Sequence, residues 1–208
     1  MPSAATLALL KTHVLQLLEN TAGSVWGTVA LEDAIGYALN EYSNVRPLQT
    51  TTALALTAAS REVALTTLTG LLTIDRVWFP YTATSPEYPP NWIEFDMWWS
   101  AGTPTLYLKI DSLPTIGQVA RIFWFKVHTL NGLDGASATT FDPNINHILI
   151  SLAAGRVAYS HAATLVITGQ MNKSQATQMY GWGITLINDF RAKFGLPPLK
   201  TPGFSVMM

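Results

Sequence analysis

The sequence predicts an α+β protein, with a small helical bundle formed by the N- and C-terminal helices and an antiparallel β-sheet or sandwich region between them. Apolar residues recur at helical spacing near both ends of the chain, whereas they alternate with polar residues through its middle. Helices separated in this way from a run of hairpin-connected strands are typical of α+β folds. We therefore expect the helices from the two ends to meet each other.

The change of period also divides the chain into segments. Its 208 residues are enough for one domain with a sizeable core. Within that domain we predict N-terminal helices over 1–46, a β-structured region over 47–130, a loop over 131–142, C-terminal helices over 143–195 and an extended tail over 196–208.

Two helices are predicted before the strands. Ser3 can cap the first, over about residues 4–20, and the second spans about residues 29–44. Arg46 followed by Pro47 ends the second helix, because the residue before a proline avoids the helical conformation.

Two more helices are predicted after the strands. Asp142 and Pro143 mark the start of the third, since Asp is a favoured cap and Pro fits the first turn. Ser174 is expected to cap the fourth, over about residues 175–194. One face of the third helix carries small and polar residues that allow another helix to approach closely, namely His147, Ser151, Ala154, Ala158 and His161.

Glycines interrupt the fourth helix and end it. Gly181 and Gly183 each cost about 1 kcal/mol relative to alanine inside a helix, so packing must compensate. Gly195, followed by Pro197 and Pro198, is expected to terminate the helix.

About six strands are predicted between the helix pairs. Three cover about residues 48–57, 63–68 and 71–81, and three follow one another in the aromatic stretch 90–130. A turn at 100–104 joins the first two of these three strands as a hairpin. If their apolar residues share a face, Lys109 lies opposite Glu94 or Asp96, depending on the register.

The last strand is apolar on both faces. Phe123 and Phe125 lie on one face, and Ile122 and Trp124 on the other. Such a strand suits a position covered on both sides, by a second sheet or by a neighbouring subunit.

The composition favours assembly and offers no feature for nucleic-acid binding. Hydrophobic residues make up 49% and charged residues 12%, whereas charged residues supply about a quarter of a typical soluble domain. Few charges would remain to coat a free monomer, which favours burial in an oligomer. The net charge is −1 with no basic run, so the chain has no electrostatic footprint for tight nucleic-acid binding.

Cysteine usage and the N-terminus bound the remaining classes. The absence of cysteine excludes disulfides and thiolate ligands. Residues 1–5 lack the pattern of a signal peptide, and no apolar run reaches the ~20 residues needed to span a bilayer. We expect a protein with no membrane contact, made in a cytoplasm and kept there or packed into a particle assembled there.

No catalytic, cofactor-binding or metal-binding site is predicted. His147 and His161 lie fourteen positions apart, or ~21 Å along a helix, too far to share one metal ion. His128 and Asp134 flank a glycine-rich loop, where a structured turn is favoured over an acid–base pair. No phosphate-binding glycine motif occurs.

Several segments together resemble the head–tail connector, or adaptor, proteins of tailed-phage necks. The resemblance runs from about Leu31 to Tyr159 and includes ALNEYSNVRP, RVWFPY, PPNWIEFDMWWSAGTPTLYL, LPTIGQVARIFWFKVHTLNGLDGASATT and FDPNINHILISLAAGRVAY. It implies a structural, non-enzymatic virion protein, with helices from which β-structure projects. Such proteins form a ring, commonly of twelve copies, between the portal and the next neck or tail protein, and DNA passes through without specific binding.

The resemblance also implies contact residues. The tail would contact the portal or another partner through Lys200, Thr201, Pro202, Gly203, Phe204, Val206, Met207 and Met208. Subunit packing would use Trp92, Trp98, Trp99 and Trp124.

Two alternatives stay open at the level of sequence. A tail terminator, a stopper or a tail-tube component belongs to the same structural class. A carbohydrate-binding module or glycan-active enzyme is a different class, which would use the tryptophan-rich sheet with Glu94 and Asp96, about 7 Å apart on one strand face.

Overall fold

The computed structural model describes residues 5–18, 26–168 and 172–199. They form an α+β fold, as the sequence predicts. The chain divides into two compact units, a helical unit from Met1–Arg46 with His128–Met208 and a β unit from Pro47–Val127.

The helices of the helical unit come from both ends of the chain. They are α1 (Leu7–Leu17), α2 (Thr28–Val45), α3 (Asn146–Ile167) and α4 (Lys173–Lys193), with a 3-10 turn at Pro143–Ile145 before α3. Helix α3 packs against α1, α2 and α4. The expectation that the terminal helices meet is therefore confirmed. No helix in the described ranges is long and apolar enough to cross a membrane.

The helix caps agree only in part with the sequence prediction. Asp142 caps as predicted, accepting a hydrogen bond from the Asn144 N–H at 2.8 Å. The predicted cap Ser3 lies outside the described residues, and Thr6 caps α1. The prediction of Ser174 is wrong, because Asn172 and Gln175 form a reciprocal capping box that places Ser174 inside the first turn.

Gly195 ends α4 as predicted. Its φ of +69° is the left-handed conformation that glycine adopts without strain. The Leu196 N–H donates to the Arg191 carbonyl at 2.8 Å, and the Gly195 N–H donates to Ala192 at 3.1 Å. This pair of bonds is a Schellman motif, which satisfies carbonyls at the end of the helix.

Helices α3 and α4 cross at a contact between two glycines. A methyl group on Gly183 would lie 2.7 Å from the Gly155 carbonyl oxygen and 2.8 Å from the Tyr159 nitrogen. Ala158 of the predicted face lies in this contact, with its Cβ 3.1 Å from the same methyl position, whereas Gly155 was not among the predicted residues; packing thus compensates for Gly183. It does not compensate for Gly181, because no neighbouring atom lies within 4 Å of a methyl group there.

The β unit is a single antiparallel six-stranded sheet. Its strands are β1 (Leu48–Ala55), β2 (Glu62–Ala64), β3 (Leu71–Trp78), β4 (Trp92–Ser100), β5 (Thr103–Lys109) and β6 (Val119–Lys126). Their order across the sheet is β1-β6-β3-β4-β5-β2. Strand β2 is shorter than predicted because the chain turns after it, with the Leu68 N–H bonded to the Leu65 carbonyl at 3.0 Å.

The sheet curls around its own core. Strands β3 and β4 pair only at Val77↔Ile93 and Trp78↔Trp92. Two three-stranded halves therefore meet at a short junction, and β1 and β2 are left as edge strands. The core between the halves is Leu56, Leu65, Leu68, Ile74, Val77, Phe79, Leu106, Leu108, Ala120, Ile122 and Trp124.

The predicted hairpin of β4 and β5 is present. Ser100 pairs with Thr103, and the two loop residues, Ala101 and Gly102, have φ values of +48° and +81°. Two positive φ angles are characteristic of a type I′ turn. The turn sets the register that places Phe95 opposite Leu108 and Met97 opposite Leu106, on the core side.

Candidate subunit interface on the β unit

The four tryptophans predicted for subunit packing lie in two environments. Trp92, Trp98 and Trp99 are 42%, 38% and 60% exposed, whereas Trp124 is 5% exposed. Trp124 faces the core, and its indole N–H donates to the Thr52 hydroxyl at 3.0 Å. We therefore correct the prediction for Trp124, which has no surface to offer a second copy because its face of β6 is buried within the unit.

The hairpin carries three aromatic residues near its tip, the exposed Trp98 and Trp99 and the half-buried Tyr107. Trp98 and Trp99 lie near the end of β4, where they pair with Thr105 and Pro104 and point to opposite faces of the sheet. The Trp98 ring lies 5.9 Å from the Tyr107 ring across the strands, at an interplanar angle of 33°. We call these three residues the hairpin aromatic group. Tryptophan and tyrosine, which have rigid, amphipathic rings, are enriched at protein interfaces.

A second feature, the arginine–aromatic cluster, lies on the outer face of β3, β4 and β6. The Arg76 guanidinium lies 5.1 Å from the Trp92 ring centroid and 5.9 Å from that of Phe123. The Arg121 guanidinium lies 5.0 Å from the Tyr81 ring and 5.5 Å from that of Phe123. These distances are within the range of cation–π attraction.

This cluster changes the interpretation of β6. The strand is apolar on both faces, but its outer face is partly covered by arginine side chains of the same unit. The cluster was not predicted from the sequence. The pattern that indicates it is an arginine two residues before an aromatic residue on the same strand face, as at Arg121 and Phe123.

The acidic face of β4 is engaged in a cross-strand ion pair. Lys109 lies opposite Glu94 in the register, and its Nζ is 2.8 Å from an Asp96 carboxylate oxygen. Both residues named in the prediction thus face Lys109. The hydrogen bond from the ammonium to Asp96 raises the pKa of Lys109. This is the arrangement of a register-fixing pair on an exposed strand.

His128 is held by the helical unit and is not paired with Asp134. Its Nε2 lies 2.8 Å from the Arg46 carbonyl oxygen, so Nε2 donates, and Nδ1 lies 3.2 Å from the Thr140 hydroxyl. The Ser43 hydroxyl accepts a bond from the His128 N–H at 2.9 Å. Burial lowers the pKa of His128 below its ordinary value of 6.5. The structured turn is therefore the better interpretation of the loop.

Asp134 lines a pocket of about 440 Å³ in the helical unit. The other acidic residues at its wall are Glu32 and Asp33. Glu32 is bonded to the Lys11 ammonium. Within the described part of the chain, no group of three or more His, Asp or Glu side chains is placed to hold a metal ion.

The predicted portal contact, from Lys200 to Met208, lies outside the described residues. The chain before it is fixed to α4. The Leu199 N–H donates to the Asn188 side-chain oxygen at 2.7 Å, and Arg191 donates to the Pro197 carbonyl at 2.6 Å. Leu199, the last described residue before this segment, is therefore held against α4.

In comparisons with known proteins, no family model and no curated protein matches the chain. It is similar to a chain in a solved structure described as the neck of an empty GTA particle computed with C6 symmetry. That match has a TM-score of 0.33 and 15% identity, and it covers 73% of this chain and 76% of the other.

A second similar chain belongs to a structure described as the neck of a native GTA particle computed with C12 symmetry. Its TM-score is 0.30 and its identity 13%, with 97% of this chain and 95% of the other covered. Because both TM-scores are below 0.5, we base the functional proposal on the residues and their contacts.

Proposed function

We propose that the protein is a structural virion component, an adaptor that forms a ring between a portal and a tail and continues the DNA channel. The observation that carries the proposal is the exposed hairpin aromatic group. Trp98 and Trp99 are held at the tip of a tight hairpin while 38% and 60% exposed. Burying large rings of this kind against a second copy is a common way to stabilise an oligomer.

The charge distribution supports a role in assembly. With 12% charged residues, the surface has few of the charges that keep a monomer apart from its copies. His128 bonds to the Arg46 carbonyl, in agreement with the structured turn that the sequence favours over an acid–base pair with Asp134. In this proposal the protein acts by packing against its copies and its neck partners.

The near-neutral charge also supports a channel role. Phosphate contacts by Lys and Arg supply most of the affinity of proteins for DNA. A net charge of −1 without a basic run would let DNA pass without being held.

The test is the mass of the protein in solution and its place in the particle. We expect native mass spectrometry to show a closed oligomer whose population increases with protein concentration. Imaging of the particle should show a ring at the portal vertex. Trp98→Thr with Trp99→Thr should weaken the oligomer without unfolding the chain. Trp182→Thr, on an exposed tryptophan of α4, is the matched control. A stable monomer that is absent from particles would overturn the proposal.

The tilted pair of Trp98 and Tyr107 rings, 5.9 Å apart, gives a glycan-binding function one supporting observation. A sugar platform predicts that an added oligosaccharide quenches tryptophan fluorescence, and that Glu94→Gln abolishes any turnover. Quenching that disappears in Trp98→Thr, with a protein that stays monomeric, would favour this alternative.

A further inference from the structure

We propose that residues 204–208 of one copy, which follow Pro202 and Gly203, pair as an added strand with the free edge of β1 in a neighbouring copy. The inference deepens the proposed function and rests on it, because it names one contact that would join the subunits of a ring. The contact is carried by three features, which are the edge of β1, the cleft beside it and the sequence of the tail.

Among the described residues, no strand pairs with the outer edge of β1. Strand β1 runs for eight residues in unbroken register with β6, from Leu48↔Lys126 to Ala55↔Val119. The Leu56 N–H donates to the carbonyl of Gln118, just before β6, at 2.8 Å, so backbone groups at even positions point toward β6. The N–H and C=O groups of the odd positions, Gln49, Thr51, Ala53 and Ala55, point toward the free edge.

The β1 edge lacks the devices that keep edge strands from pairing. Charged residues, prolines, bulges and shortness are the usual protections. From Leu48 to Ser60 the chain contains no proline and no charged side chain, and β1 pairs with β6 without a bulge. The odd-numbered side chains are exposed and uncharged, so no charge along the edge opposes an incoming strand.

A cleft lies between this edge and the other edge strand, β2. It has a volume of about 250 Å³ and is lined by residues 54–58, 60, 62–64 and 66–67. Its wall includes Leu54 and Val63, which also pack against the core of the β unit. Alternation along β2 points the backbone groups of Glu62 and Ala64 to the same cleft, since the Leu65 N–H bonds to Pro104 of β5.

The tail has the pattern of a strand that fits this cleft. Residues 201–208 contain no charged side chain, and Phe204, Val206 and Met208 alternate with Ser205 and Met207. Alternate side chains of a strand point to one face, so these three would turn toward Leu54 and Val63. Strand addition of this kind derives its affinity from the backbone and its specificity from alternate side chains.

The resemblance implies that the tail binds the portal, whereas this inference has it bind a neighbouring copy. Two variants distinguish these two partners. Thr51→Pro removes one free N–H from the edge while leaving the β6 ladder intact, because Pro is tolerated where the N–H faces away from the sheet. Val206→Pro removes the matching donor from the tail, because in a strand parallel to β1 the N–H of a residue that faces Leu54 and Val63 points at the β1 edge. Thr51→Lys is a milder edge variant, and Thr84→Lys in the exposed loop before β4 is its control.

We expect Thr51→Pro and Val206→Pro each to raise the apparent dissociation constant of the full-length oligomer by about tenfold or more. A mixture of the two should form 1:1 pairs in native mass spectrometry, since only the tail of the first can enter the cleft of the second. In wild type, the amides of Thr51 and Ala53 should exchange slowly in a concentration-dependent way, and Val206→Pro should remove that protection.

Each remaining outcome decides against the inference. Variants that assemble like wild type would overturn it while leaving the ring intact, and they would point to the portal as the partner of the tail. Protection at Thr51 that Val206→Pro removes at every concentration would mean that the tail binds its own copy. A wild-type protein that forms no oligomer, and whose Thr51 amide exchanges freely, would overturn both this inference and the proposed function.

Discussion

In the helical unit α3 and α4 meet at Gly155 and Gly183, with no room for a methyl group between them. In the β unit, by contrast, Tyr88, Trp92, Trp98 and Trp99 are all exposed. The first unit uses its small residues to bring helices together within one chain. The second buries a continuous core but keeps aromatic surface outside it. If the proposed function is correct, folding and association draw on different parts of the molecule, and each prediction below tests that separation.

The largest effect is expected from the tryptophans of the β unit. Trp124→Ala should lower the free energy of unfolding by about 3–5 kcal/mol, because it leaves a cavity in the core and an unpaired Thr52 hydroxyl. Trp99→Ala should change it by less than about 0.5 kcal/mol, because the ring is largely exposed. Urea denaturation of both variants at a concentration where the protein is monomeric measures the difference. Equal losses of unfolding free energy in the two variants would contradict the assignment of Trp124 to the core and of Trp99 to the exposed surface.

The glycines of α4 give the next effect. Gly183→Ala should destabilise the helical unit by about 1–3 kcal/mol, because the added methyl meets the backbone of α3. Gly181→Ala should stabilise it by up to about 1 kcal/mol, because the position is open and alanine favours the helix. Thermal unfolding followed by circular dichroism at the helix band measures both. A stabilising Gly183→Ala would show that the two helices can separate without cost.

A smaller effect is expected from acid. The folded pKa of His128 is depressed below its ordinary value of 6.5, so above pH 6.5 the contribution of the neutral ring is complete. As the pH falls below 6.5 the unfolded chain takes up a proton more readily than the folded one, and the helical unit loses stability until the folded pKa is passed. Unfolding free energies measured between pH 8 and pH 5 should show this slope, where both limits are chosen to lie roughly 1.5 units either side of the ordinary value.

His147→Asn, on the exposed surface of α3, is the control and should keep the slope. His128→Asn should remove it, at the cost of some stability at neutral pH because the bond to the Arg46 carbonyl is weakened or lost. If the pH dependence of the unfolding free energy persists in His128→Asn, another titratable group causes it.

The smallest effect concerns the hairpin. Ala101 adopts a φ of +48°, which is strained for a residue with a β-carbon. Ala101→Asn should stabilise the β unit by about 0.5–1 kcal/mol, because Asn-Gly is the preferred sequence of a type I′ turn. Oligomer formation should be unchanged or slightly favoured, since the turn positions Trp98 and Trp99. A loss of assembly with a gain of stability would mean that the interface needs a mobile hairpin.

Much of the fold could be predicted because it depends on local patterns. The alternation in β4 and β5 placed Phe95 and Met97 on the core side, and the capping pair Asp142-Pro143 located the start of the third helical segment. Caps were less predictable, since Ser174 and Asn172 are both good capping residues and only the reciprocal bond to Gln175 selects one of them.

The candidate interface was predicted only in part. The sequence marks Trp92, Trp98, Trp99 and Trp124 alike as aromatic strand residues, because side-chain chemistry does not say which face of a sheet is covered. Burial depends on which strand lies on either side, and the order β1-β6-β3 that covers Trp124 joins segments far apart in the chain.

The sequence by itself determined the α+β class, the number of strands, the turn at Gly102 and the low charge, because periodicity, turn chemistry and composition act over a few residues. Only the tertiary structure decided that Gly155 meets Gly183, that Arg76 and Arg121 lie over aromatic rings, and that β1 is an edge strand. These contacts join residues distant in sequence. They depend on the three-dimensional arrangement of the strands and helices, which no local pattern specifies.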